Sequence, residues 1–136
     1  MADSPMVPTA NPSLNMFPLI PPVGKDFYVV FDRVELLGRL MGNQALVEKI
    51  LNAFMETTPS QLLNLSKHLA AQDAQASRRE AHTLKGAAAT VSAPALRSLA
   101  LEVERAAETG DWKMLESLLT RLKAEFERFT AALTRS

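Results

Sequence analysis

The 136-residue sequence has no cysteine, which excludes disulfides, thiol catalysis and thiolate metal sites and is compatible with a reducing compartment. Aromatics are scarce at 6%, so the core must be built from aliphatic side chains, and leucine and alanine are good helix formers. Net charge is missing too: 15 basic residues balance 15 acidic ones, leaving no overall field to draw the chain onto nucleic acid or an anionic membrane. No apolar run approaches the roughly 18 residues of a membrane span, and no basic segment followed by an apolar one marks a secretory signal. No glycine-rich phosphate loop, Walker-like lysine or acidic cluster suited to Mg²⁺ is present, so no use of ATP is expected.

What remains is a chain of one-domain length, 47% apolar, with a strongly uneven distribution of proline. Six of the eight prolines (Pro5, Pro8, Pro12, Pro18, Pro21 and Pro22) fall in the first 22 residues. They remove backbone donors and disfavour helix. Residues 1–25 are read as a linker or tail, whose apolar stretch MFPLIPPV either docks on the domain or ends a tether, and residues 26–136 as a helical domain.

Helix signals then recur. A short helix is expected near 32–41, and longer ones near 43–57, 59–71, 74–91, 94–109 and 112–134. Asn43, Asp73 and Asp111 are candidate caps, Gly110 a stop, and Ser92 with Pro94 an opening. Thr58-Pro59-Ser60-Gln61 reads as a capping box with proline at the first helical position. Trp112, Leu115, Leu119, Leu122, Phe126, Phe129 and Leu133 form the stripe an antiparallel bundle needs, and Leu96, Leu99, Val103 and Ala106 repeat it. The fold class expected is all-α, an antiparallel four-helix bundle with additional N-terminal helices.

Within 74–91, the apolar stripe is Ala74, Ser77, Ala81, Leu84, Ala88 and Val91, and His82 is not on it. At about 100° per residue, His82 lies some 160° round the helix from Leu84, near the centre of the solvent face. Its neighbours there are Gln75, Arg78, Arg79, Lys85, Gly86 and Ala89. Cations beside an imidazole disfavour its charged form, which keeps a neutral nitrogen nucleophile available, and would stabilise a phosphoryl group once attached. Gly86 weakens the helix by about 1 kcal/mol relative to alanine, which close approach of a partner or tight packing must offset. These features suggest a phospho-acceptor histidine, with a solvated charged face as the plainer alternative. His68 reads as a histidine at a helix C-terminus, interacting with the dipole, and Trp112 as core. Arg78 and Arg79 suit partner contacts or ordinary solvated charges equally.

The stretch EAHTLKGAAATVSAPAL, followed by LALEVERAAETGDW, resembles the signature of histidine-containing phosphotransfer (HPt) domains of bacterial multistep phosphorelays. FDRVELLGRLMGNQALVEKILNAF is similar to the segment that precedes it in that family. The resemblance implies a phosphorelay intermediate in which His82 accepts a phosphoryl group from one receiver-domain aspartate and passes it to another. It further implies Lys85 beside the phosphoryl group, Gly86 as steric clearance, and Gln75, Arg78, Arg79 and Ala89 as partner contacts. Asn43 stands where aspartate is frequent, and Ser92 where a glycine usually closes the His-bearing helix. No cofactor is expected in this domain, Mg²⁺ belonging to the receiver. The partners implied are receiver domains of response regulators or hybrid sensor kinases, with no nucleic acid and no direct membrane contact, and the state a monomer in the cytoplasm, either free or as the cytoplasmic end of a membrane-bound hybrid kinase. The rival readings are a non-catalytic helical adaptor and a purely structural bundle.

Overall fold

The computed structural model describes residues 29–135, and the linker reading of 1–25 lies outside them. The described chain contains five helices: α1 (Arg33–Arg39), α2 (Gln44–Ala70), α3 (Ala74–Thr90), α4 (Pro94–Thr109) and α5 (Trp112–Arg135). Short turns force consecutive helices to run antiparallel. Helices α2 to α5 form the bundle, with α3 packed between α2 and α4 and the ring closed by α5 against α2. The expected all-α class is observed. Among the described residues, no helix is long and apolar enough to cross a membrane.

The caps follow the local chemistry. Asn43, Asp73 and Asp111 each accept a hydrogen bond from the backbone N–H three residues on, at 3.0, 3.0 and 3.1 Å. Gly110 closes α4 in the left-handed region, at φ 71°. Ser92 also sits in that region, at φ 57°, so it ends α3 rather than opening α4, whose first residue is Pro94.

One expected boundary is absent. Helix α2 runs unbroken through Pro59, so the segments 43–57 and 59–71 are a single helix of 27 residues. The capping box does not form: Thr58 is fully buried, and Thr58 Oγ1 and Gln61 Oε1 have no hydrogen-bond partner. Proline in a helix interior costs about 3 kcal/mol. Here Val47, Leu51, Phe54, Thr58, Leu62, Leu65 and Leu69 keep one buried stripe in phase on both sides of it. Burying a leucine or phenylalanine contributes roughly 1.5–3 kcal/mol, so tertiary packing outweighs the local break.

The core joins this stripe to Ala81, Leu84, Ala88 and Val91 of α3 and its turn, Leu96, Leu99 and Val103 of α4, and Leu115, Leu118, Leu122 and Phe129 of α5. Three stripe details differ from the sequence pattern, one of them on α4, where Ala107 is fully buried and Ala106 half-buried. Ala74 is exposed, because the first turn of α3 faces an open groove toward Ala107, and Ala76 is buried instead. On α5, Leu118 and Glu125 are fully buried while Leu119 and Phe126 are half-buried, a small rotation of the buried face. Trp112 is half-buried and packs against the core. Phe31 packs edge-on against Phe129, with centroids 5.3 Å apart, and Phe54 does the same at 5.1 Å, tying the irregular segment before α1 and helix α2 to α5.

Candidate functional site

The middle of α3 displays His82 and Lys85 one turn apart, facing α4. The His82 side chain is 64% exposed, whereas its neighbours Ala81 and Leu84 are fully buried. The helix thus holds the imidazole outward by anchoring both sides of it in the core. Lys85 is more enclosed, at 22% side-chain exposure.

The two meet at a residue the sequence reading did not single out. Glu104 of α4, 12% exposed, places Oε2 3.1 Å from His82 Nδ1 and Oε1 2.9 Å from Lys85 Nζ. Burial works against its charged form, yet the contacts and charges of Lys85 and His82 outweigh that and hold Glu104 below the ordinary carboxylate range. An ionised carboxylate only accepts hydrogen bonds. In the neutral ring His82 Nδ1 is then the nitrogen that carries the proton, and Nε2 carries the lone pair. Beside the cations expected from the sequence, the structure thus adds a carboxylate that pairs with Lys85 and contacts one ring nitrogen. Nothing in the pattern of α4 distinguishes Glu104 from Glu102 or Glu108. Its position beside core residue Val103 is shared with Glu102, so the cross-helix contact comes only with the fold.

Past the imidazole the surface is low. Gly86 is exposed, and a Cβ added there would meet nothing within 4 Å, so no packing inside the domain requires glycine. Ala89, one turn further, is exposed. Between α3 and α2, Ala87, Thr90 and Val91 with Ile50, Ala53 and Phe54 line an open, mainly apolar groove beside Gly86. On the other side, Gln75 and half-buried Arg78 line a shallow groove with Ala107 and Glu108, and Arg79 is exposed. His68 lies apart from this face: it occupies the last turn of α2, with Nε2 3.6 Å from Glu80 Oε1. Asn43 is likewise remote in role, serving as the α2 cap.

An exposed nitrogen nucleophile, an adjacent ammonium and a cleared, partly apolar surround suit reception of a phosphoryl group carried on another macromolecule. The family model described as Hpt domain matches residues 49–132. The crystal structure of histidine-containing phosphotransfer protein B (HptB) from Pseudomonas aeruginosa PAO1 is similar to this chain with a TM-score of 0.72. The two are 24% identical over 78% of this chain and 92% of that one, a likeness of fold. No curated protein gives a significant match.

Proposed function

We propose His82 as the phosphorylated residue, on the premise that the chain belongs to the Hpt domain family and is a histidine phosphotransfer intermediate of phosphorelays. Such domains are carriers that work with receiver domains. The observation that carries the assignment is the exposed His82 side chain with its Nδ1 held 3.1 Å from Glu104 Oε2, which turns Nε2 away from the carboxylate.

In the proposed reaction, the Nε2 lone pair attacks the phosphorus of a receiver aspartyl phosphate. The Nε2–P bond forms as the P–O bond to the aspartate breaks, and that electron pair leaves on the aspartate carboxylate. The ring keeps its Nδ1 proton and becomes a cationic phosphoimidazole. Glu104 is placed to accept a charge-assisted hydrogen bond from it, an interaction worth roughly 1.5–3 kcal/mol when well formed. Lys85 is close enough to turn from Glu104 toward the phosphoryl oxygens. The reverse attack, by a second receiver's aspartate, returns His82 to its starting tautomer. Gly86 leaves room for the receiver, and Gln75, Arg78, Arg79 and Ala89 flank its approach. The receiver carries the Mg²⁺; the domain itself, read as residues 26–136, acts without ATP as a cytoplasmic monomer.

The test is incubation with phosphorylated receivers, followed by assay for an acid-labile, base-stable phosphate. The parent is expected to acquire it and His82→Gln to lose it while remaining folded by circular dichroism. Phosphate retained by His82→Gln removes the assignment. Absence of transfer with all receivers of the source organism favours a non-catalytic adaptor.

A further inference from the structure

Helix α1 lies outside the segment matched to the family, 49–132, yet it grips the end of the helix that carries His82. Arg39 Nη2 donates to the carbonyls of Ala89 and Thr90, at 3.2 and 3.0 Å, and to Ser92 Oγ at 2.7 Å. Glu35 fixes the guanidinium from behind, its Oε2 accepting from Arg39 Nε at 2.9 Å, while Ser92 Oγ donates to Glu35 Oε1. Backbone bonds reinforce the joint: the Asp32 N–H donates to the Ser92 carbonyl at 2.9 Å and the Ala95 N–H to the Val29 carbonyl at 3.1 Å.

The last carbonyls of a helix lack intrahelical donors, and a cation near that end complements the helix dipole. Helix α3 has no basic residue in its own last turn. The Ser92 N–H also donates to the Ala89 carbonyl, at 3.2 Å, whereas the cation at this end and the side-chain donor to the Thr90 carbonyl come from α1, some 50 residues away in sequence. Ser92 makes this possible. At φ 57° it occupies a conformation that glycine adopts more easily, but glycine would lack the hydroxyl that links Arg39 to Glu35. The carbonyls so held belong to Ala89, exposed one turn beyond Gly86, and Thr90, which lines the apolar groove beside it.

Resting on the phosphotransfer reading of His82, we propose that Arg39 is a positioning residue for receiver docking. By holding the Ala89 and Thr90 carbonyls it fixes the C-terminal turn of α3, the part of the docking face next to Gly86, without touching the reacting atoms. Helix α1 is then part of the functional unit. A simple brace for the α3–α4 turn would stabilise the domain and do nothing else.

Arg39→Ala, Ser92→Gly and the double variant separate these roles. In Arg39→Ala, the amides of Val91, Ser92 and Ala93 are expected to exchange with solvent about 10-fold faster while those of mid-α5 do not change. The receiver concentration for half-maximal transfer is expected to rise about 5- to 10-fold, with the rate at saturation within about 2-fold of the parent, the pattern of lost binding rather than lost chemistry. Adding Ser92→Gly, which relieves the left-handed strain, is expected to recover the melting temperature but not the half-saturation. An unchanged half-saturation in Arg39→Ala, or its full recovery by Ser92→Gly, overturns the proposal and leaves a brace. Should Arg39→Ala fail to fold, Arg39→Lys, which keeps the cation but not the fork, is read by the same split. Should the parent take no phosphate on His82, the phosphotransfer reading fails by itself, and unchanged exchange at the three amides in Arg39→Ala still refutes the clamp.

Discussion

His82 Nδ1 and Glu104 Oε2 lie 3.1 Å apart across the α3–α4 seam, an exposed ring held by a largely enclosed carboxylate. The contact distinguishes the two ring nitrogens: in the neutral ring Nδ1 donates to the carboxylate and Nε2 is left as the nucleophile. Replacing Glu104 with alanine is expected to release the ring, so that the proton redistributes between the nitrogens and transfer slows, by up to about 10- to 150-fold for a lost contact of roughly 1.5–3 kcal/mol. Nitrogen-15 NMR of the imidazole reads the tautomer directly. An Nδ1–H form that stays dominant in Glu104→Ala would mean that the carboxylate does not select it.

The same carboxylate gives a pH dependence of definite sign. Burial pushes its pKa up, but Lys85 and His82 together bring it below the ordinary carboxylate range. A depressed pKa means that the folded state binds fewer protons than the unfolded one. The stability due to Glu104 ionisation is therefore fully present above the ordinary carboxylate range and lost as pH falls through the lowered value. Urea midpoints of the parent and Glu104→Gln, compared from about pH 3 to pH 7, should show this part of the parent's advantage shrinking at the acid end. An advantage that grows with acidification contradicts the assigned direction.

Much of the fold was legible because its signals are local. The Asn43, Asp73 and Asp111 caps, the Gly110 stop and the outward position of His82 need only nearest-neighbour chemistry and a period of 3.6. Glu104 and the Arg39–Ser92 joint were not legible, since each is a contact between helices 22 and 53 residues apart, and no period within one helix encodes it. Pro59 failed for a related reason: its local penalty is real, but the stripe from Val47 to Leu69 that offsets it is tertiary.

That reading of Pro59 can be measured. Pro59 is exposed and cannot donate to the Met55 carbonyl. Pro59→Ala restores the donor and is expected to stabilise the domain, by at most about 3 kcal/mol, seen as a higher urea midpoint with unchanged slope. A lower midpoint would show that α2 is fitted to proline at this point and that proline there carries no penalty to offset.

Lys85 lies 2.9 Å from Glu104 Oε1 and reaches the same side of the helix as His82. Lys85→Ala is expected to slow transfer and shorten the phosphohistidine lifetime, in part only, because Glu104 still orients the ring. Single-turnover transfer and the decay of isolated phosphoprotein separate the two effects. Parent-like values in both would reduce Lys85 to a partner for Glu104.

Gly86 gives the sharpest separation of folding from function. It lies inside α3, where glycine costs about 1 kcal/mol relative to alanine, and a Cβ there would meet nothing within 4 Å. Nothing inside the domain needs its small size. Gly86→Ala is accordingly expected to raise stability by up to about 1 kcal/mol. Gly86→Gln should fold at least as well as the parent, but its side chain projects one turn beyond His82. There a receiver's aspartyl phosphate must come within about 3–3.5 Å of the ring nitrogen. Melting curves and transfer rates measured on both variants then diverge: stability holds or rises while Gly86→Gln transfers far more slowly. Transfer at the parent rate would show that clearance is not the reason for glycine, and loss of folding would show that the open space beside it is needed by the domain itself.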